Sequence, residues 1–534
     1  MSLDYRLGIR PVGPNHTALS KMAHAESFAD APQPSSSPTI AHRFQSICNT
    51  HAERTCLEDH RGARDYQWLH CQASLIANHL TEQATFTTGS RVGLQLTNSP
   101  EYIAAFYGIQ LAGGVAVPIP PYYRKHRLAP LLEMTQTRFL FEPVETAQPY
   151  STKKHHVIEL NATQVHPQFN RIAPKKQLAM LLFTSGSSGQ PKAVMLSHQN
   201  VLTNMRSILQ SLPMASGDRS LANMPFAHAL GNSVLQTHVL NGACLVFPRE
   251  LLFPVALLSA LKTNRCTSLI AVPDVFELLL KGTKPTALNI PTLRFMAVAG
   301  GPMSSGRIQD LANRIAPADF FVMYGQTEAT ARLACSLCDP TADQGDTIGK
   351  PIPGVEFSIR NEQGVELNTG RVGTLHARGN NVMMGYWNDP TGTEAVINEG
   401  WLDTGDRAVK NEAQNFRIVG RANGLVKISG YRFHPNEVDS LLERLAPGQQ
   451  FTTVAYQKFN QTKLATFVIA ESLTETESDR LRLLCADNLP KHMIPHQVIP
   501  LRNWPLNSAN KIDPITLSQW AAQKHNPLGF HRSA

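Results

Sequence analysis

A layered α/β protein with a large N-terminal part and a small mobile α+β domain after it is the fold class this sequence predicts. Helical patterns such as SLIANHL and SPEYIAAFYGIQLAGG alternate with short apolar runs, among them RVGLQL, VAVPIP, ACLVFP, TSLIAVP and RFMAVAG. That alternation is expected of helices packed on largely buried strands. Near residue 400 the texture changes: in WLDTGDRAVKNEAQNFRIVGRANGLVKISGYRF, strand-like runs are divided by Asn, Gly and Asp. Amphipathic helical patterns, HPNEVDSLLERLA and ESDRLRLLCADNLP, follow.

Taken in order, residues 1–38 end in the Pro/Ser-rich DAPQPSSSPT, too polar and broken to pack, and are expected to be a mobile leader. Residues 39–421 form the large domain, 422–520 the small one and 521–534 a tail. The joint between the domains falls in GRANG, whose two glycines suit a hinge. No repeat of 20 to 50 residues is visible. The net charge of +8 comes from 49 Lys and Arg against 41 Asp and Glu, spread without a basic stripe. A nucleic-acid partner is therefore not expected. Eight unevenly spaced cysteines fit a reducing, cytoplasmic setting better than a disulfide framework. Cys335 and Cys338 form a lone CxxC without the further ligands a zinc site needs. No apolar stretch is long enough to cross a bilayer, so stable membrane insertion is not expected.

The stretch LLFTSGSSGQPKAVMLS, residues 181–197, carries the clearest chemistry. Thr184, Ser185, Gly186, Ser187, Ser188 and Gly189 expose backbone N–H groups and four hydroxyls, and successive N–H groups in such a turn favour anions. Lys192 adds a point charge. With the strand LAMLLF before it and the helix-like HQNVLTNMRSIL after it, this is a phosphate loop in expectation. It is not a Walker A loop, because Gly189 is followed by Gln-Pro-Lys.

TSGSSGQPK resembles the phosphate loop of the adenylate-forming superfamily, which includes acyl-CoA synthetases, fatty acyl-AMP ligases, nonribosomal-peptide adenylation domains and luciferases. MPFAHALG, VAGGPM, YGQTEAT, TIGKPIPG, MGYWNDP, WLDTGD, GRANGLVKISGYRFHPNEVD and PLNSANKID follow in that family's order. The resemblance implies a two-step reaction: a carboxylate attacks the α-phosphate of ATP to give acyl-AMP and pyrophosphate, then a thiol displaces AMP. It implies that the 184–189 loop and Lys192 hold the β and γ phosphates. Tyr324 would stack on adenine beside Gly325, with Gly300, Gly301 and Pro302 as a backbone wall. Thr327 would contact the α-phosphate and Glu328 would bind Mg²⁺. Asp406 would hold the ribose hydroxyls next to Arg421, and Lys511 would reach the carboxylate and α-phosphate during adenylation. This chain departs from the family pattern at Ala193, Asn423, Gly424 and Asn510.

His228, Ala229, Gly231 and Ala299 are implied to line the acyl pocket, with room suggested by Gly231, Ala299 and Gly300. Amino-acid-activating relatives place an Asp where this chain has Ala229, and FAHALGNS holds no acid, so an α-amino acid is disfavoured. Fatty and aryl acids both stay open. AAFYGIQLAGGVAVPIPP resembles fatty acyl-AMP ligases, whereas the 401–439 segment resembles the general synthetases. Gly430 resembles the glycine that lets a pantetheine arm pass, with Asn423 as hinge and Lys427 nearby, which favours CoA or a phosphopantetheinyl carrier protein as acceptor. An acyl-AMP ligase acting only with a carrier protein and a catalytically silent interaction module are the alternatives.

Overall fold

A computed structural model describes residues 6–11, 39–123, 125–143, 156–159, 177–185, 191–249, 254–282, 288–301, 303, 305–339, 347–421, 426–433, 435–446, 449–459, 461–505 and 512–523. Two large sheets form its frame. One has eight strands, with Arg91–Leu94, Val115–Pro118 and Leu178–Ser185 near its centre. The other has nine, with Ser268–Ala271, Phe295–Val298 and Asp319–Tyr324 running parallel in sequence order. The helices Ile40–Thr50, Tyr66–Glu82, Pro100–Leu111, His198–Ser211 and Ala229–Val239 contribute to one continuous apolar core with residues from both sheets. All twelve residues of Pro100–Leu111 are buried, which explains why its sequence shows no polar face.

Local chemistry sets where these helices begin. Thr39, Asp65 and Ser197 each accept an N–H from the first helical turn, and Ser99 does so ahead of Pro100. One expectation needs correction. Arg6–Pro11, placed in a mobile leader by its polar downstream sequence, is a strand paired antiparallel with Phe139–Pro143 and His156–Glu159. The helix expected at HQNVLTNMRSIL is found at His198–Ser211, and between it and the glycine and hydroxyl stretch Pro191–Ser197 returns as a strand antiparallel to Leu178–Ser185.

A five-stranded sheet built around Gly373–Gly379 and Trp401–Lys410 follows. The C-terminal part has a short hairpin, Val426–Ile428 with Tyr431–Phe433, and a three-stranded sheet with two apolar clusters of its own. Among the described residues no helix is long and apolar enough to cross a membrane. All eight cysteines are free thiols, and no group of three His, Cys, Asp or Glu able to hold a metal occurs among the described residues.

His198 and His238 lie in the core, and burial lowers both to about 4. Between the ordinary histidine value of 6.5 and about 4 the unfolded chain binds protons that the native state refuses, so stability falls as pH drops through that window. Melting temperature measured from pH 7 to 4.5 is expected to fall below pH 6.5, and to fall less steeply in His238→Gln.

Candidate active site

The parallel strands Phe295–Val298 and Asp319–Tyr324 are in register, with Val298 opposite Val322, so both chains leave the sheet at one level. Ligand crevices in such sheets form outside the carboxyl ends of the strands. Here Gly300, Gly301, Tyr324 and Gly325 line a cleft of about 1550 Å³, and Asp406, Lys427 and Gly430 line it from the other side. Gly300 has a left-handed φ of 94°, which a side chain would strain. The Tyr324 hydroxyl donates to Asp406 at 2.5 Å, and Asp406 is only 3% exposed. Arg421 lies opposite Asp406 in the adjoining ladder, so these two segments are neighbours by strand pairing.

Beyond Tyr324 the chain folds back tightly. Thr330 and Ala331 both have left-handed φ, 57° and 91°, and the Ala331 carbonyl lies 1.7 Å from where a Cβ on Gly325 would stand. Left-handed geometry at a β-branched residue is costly and survives only where its surroundings enforce it. They do so here: Thr330 Oγ1 donates to the Asn381 carbonyl at 2.6 Å, Asn381 Nδ2 donates to the Ala329 carbonyl, and Met383 N donates to the Glu328 carbonyl. Thr327 and Glu328 therefore sit on a turn braced from outside.

Lys192 meets this turn through a residue that sequence reasoning missed. Gly385–Tyr386 pairs with Pro191–Ser197, Tyr386 standing opposite Val194. The Tyr386 hydroxyl donates to Glu328 Oε1 at 3.1 Å, while Lys192 Nζ lies 4.4 Å from the Tyr386 ring centre and 3.1 Å from Asp389. Burial, with the charge of Glu328 beside it, pushes the Tyr386 hydroxyl up, so it stays protonated and donating. A backbone bond from Gly392, with help from Lys192, lowers Asp389. MGYWNDP was the available signal, but it named a motif and no contact. Glu328, a single carboxylate outside any metal-binding cluster among the described residues, fits Mg²⁺ held mainly by phosphate oxygens and water. Thr184 faces Lys192 and Ser185 faces Pro191 in the ladder. Gly186, Ser187, Ser188, Gly189, Pro302, Asn423 and Lys511 lie outside the described residues.

At the acid side His228 precedes the helix Ala229–Val239. Its ring meets Tyr431 edge-on at 4.7 Å, and Tyr431 stacks on His492 at 3.9 Å. Burial lowers His228 to about 4 and His492 to about 3, so both are neutral near pH 7. Gly430, with φ 84°, lies so close to Val272 that a Cβ would stand 2.5 Å from its Cγ1. Lys427 Nζ is 3.8 Å from the Cβ position of Gly300. The C-terminal hairpin thus rests on the cleft.

A family model described as AMP-binding enzyme matches residues 44–387. The chain belongs to the AMP-binding enzyme family. It is 30% identical to the putative acyl-CoA synthetase YngI of Bacillus subtilis over 358 residues, 66% of this chain and 65% of that protein. It is 27% identical over 517 residues to the acyl-CoA ligase sidI of Aspergillus fumigatus, 86% of this chain and 87% of that one. Tyrocidine synthase 3 of Brevibacillus parabrevis is 27% identical over 522 residues, which cover 91% of this chain and 8% of the synthase. The match thus spans just under two thirds of YngI and a small part of the synthase. Among solved structures, a double mutant of o-succinylbenzoate CoA synthetase (MenE) from Bacillus subtilis superposes with a TM-score of 0.78 at 22% identity, over 89% of this chain and 97% of that one. Amide bond synthetase McbA from Marinactinospora thermotolerans gives 0.76 at 22%, over 91% and 100%. These likenesses establish the fold: an adenylate-forming architecture with a large N-terminal and a smaller C-terminal part.

Family membership makes the acyl-side residues the ones to weigh individually. Ala299 is buried in the core and Ala229 borders a small internal cavity. Gly231 does something other than make room: a Cβ there would stand 2.1 Å from the Pro225 carbonyl oxygen, so the glycine lets the helix approach the preceding backbone. In an unobstructed helix Gly→Ala would stabilise by roughly 0.5–1 kcal/mol. Here the clash wins, and Gly231→Ala is expected to cost about 1–3 kcal/mol, read as a lower urea midpoint.

Proposed function

We propose that this enzyme activates a carboxylic acid lacking an α-ammonium group, using ATP to form acyl-AMP with release of pyrophosphate, and then passes the acyl group to the pantetheine thiol of CoA or a carrier protein. One observation carries the reading: Tyr324, Asp406 and the Gly300 wall share a single cleft with Gly430 and Lys427 of the C-terminal hairpin. The nucleotide and an incoming thiol would then meet in the same space.

In this mechanism Tyr324 packs on adenine and Asp406 accepts from the ribose. Lys192 and the Thr184–Gly189 loop draw charge from the β and γ phosphates. Thr327 orients the α-phosphate, and Glu328, steadied by Tyr386, is the metal ligand. Mg²⁺ would neutralise phosphate charge. The substrate carboxylate oxygen forms a bond to the α-phosphorus as the bond to the pyrophosphate oxygen breaks, an approach of anion to anion that needs preorganised cations and donors. Lys511 supplies one of them. In the second step a thiol attacks the acyl carbon and AMP leaves, with the small domain rotated about Asn423 so that Gly430 lines the approach.

Ala229 leaves an α-ammonium without a partner at the mouth of the pocket, and burying an unpaired charge costs several kcal/mol. ATP–pyrophosphate exchange is therefore expected with simple fatty or aryl carboxylates and not with free α-amino acids. Strong exchange with a common amino acid and none with simple carboxylates would overturn the reading.

Lys511→Ala separates the two half-reactions. Acyl-AMP formation is expected to fall on the order of 10²- to 10³-fold, as for loss of one preorganised donor, while supplied acyl-AMP still reacts with thiol at near the native rate. Equal loss in both steps would remove Lys511 from this role.

A further inference from the structure

Arg332 is the largest side chain wholly buried in the described protein, 1% exposed, and it follows the braced turn by two residues. Its Nη1 donates to Ser233 Oγ at 3.0 Å. Its Nε and Nη2 have no hydrogen-bond partner, and nearby thiol Cys335 is the one group that favours its charge. Burial lowers Arg332 to about 10, so it remains cationic near pH 7. A guanidinium sealed in protein without a counter-ion is among the costliest arrangements a fold can keep.

Its surroundings share the same deficit. Ser233 lines a small internal cavity together with Asn204, Asn232 and Gln236. Asn232 Nδ2 and Gln236 Nε2 are buried donors without partners, Gln236 having already given its oxygen to the Tyr107 hydroxyl. Asn204 Nδ2 is spent on the Arg332 carbonyl at 2.7 Å. His238, close enough to feel the charge of Arg332, is kept neutral. Around Ser233, which links Arg332 to the cavity, the unpartnered nitrogens of Arg332, Asn232 and Gln236 outnumber the one unpartnered acceptor on the cavity wall, Asn204 Oδ1, and what they lack is a further acceptor, best an anion.

The cavity shares no wall residue with the cleft, but two of its wall residues adjoin residues of the candidate site. Ala229 and Thr330 border it, one beside His228 and the other on the Thr327–Glu328 turn. Ser233 lies one helical turn beyond Ala229 on the same face, about 6 Å further in. We propose that the acyl substrate carries a second acidic group, a carboxylate distal to the one that is activated, and that Arg332 with Ser233 receives it. The cavity as it stands, about 10 Å³, holds a single water, so entry requires Met205 or Gln236 on its wall to swing aside. Arg332 is a specificity residue in this reading, which rests on the acid-activating function proposed above.

Exchange assays on the full chain with matched acids test it: adipate against hexanoate, and terephthalate against 4-methylbenzoate. The diacid of each pair is expected to have the higher kcat/KM, on the order of 10²-fold, because a monoacid leaves the buried donors unpaired. Arg332→Met should abolish that preference without moving the KM for ATP. Equal or better use of the monoacids by the native protein overturns the proposal, as does an Arg332→Met variant that loses both acids by the same factor. Should that variant not fold, the native panel alone decides. If no acid supports exchange, the activating function fails separately, and thermal protection by adipate but not hexanoate, lost in Arg332→Met, still upholds the subsite; equal protection by the two overturns it.

Discussion

The bond from Tyr324 to the buried carboxylate of Asp406 joins two sheets that share no strand. Tyr324 ends a strand of the nine-stranded sheet, and Asp406 lies within Trp401–Lys410 of the five-stranded one. A carboxylate at 3% exposure needs donors, and the phenol hydroxyl is one that reaches it from across the cleft. Tying the sheets at this point fixes the floor on which Gly300, Gly301 and Gly325 lie. This wall of the cleft is therefore a consequence of sheet packing before it is a matter of any single motif.

The turn after Tyr324 shows how strain is placed. Two consecutive left-handed residues without glycine would unwind if left alone, yet hydrogen bonds from Asn381, Met383 and Thr330 pin them. The same turn presents Glu328 outward to Tyr386 and leads inward to Arg332. One short segment thus carries the Glu328 contact with Tyr386 on one side and the Arg332 contact with Ser233 on the other.

Much of this was legible in the sequence because periodicity and turn residues are local signals. The alternation of buried strands and amphipathic helices and the change of texture near residue 400 both depend on neighbours in the chain. What escaped depends on partners far away. The polar leader gave no hint that Arg6–Pro11 finds a sheet, and PKAVMLS, assigned no element from the sequence, is a strand by its pairing with Leu178–Ser185. Tyr386 gains meaning only by standing opposite Val194 and reaching Glu328. Arg332 is one arginine among many in the sequence, and only burial distinguishes it. Gly231 suggested space, whereas the structure uses it for backbone contact. The phosphate loop from Gly186 to Gly189, and Lys511, rest on motif alone.

The strand Arg6–Pro11 also bears on how the protein is made. Leu7 pairs with Pro143 and Ile158, so the strand has no partner until well over a hundred further residues have emerged. Closing so long a loop costs entropy before any pairing rewards it. While that stretch is being made, Arg6–Pro11 has neither of its two pairing strands. One side of the eight-stranded sheet is thus held together by a pairing between segments far apart in the chain, made before the strands Leu178–Ser185, Pro191–Ser197 and Gly385–Tyr386 of its other side exist.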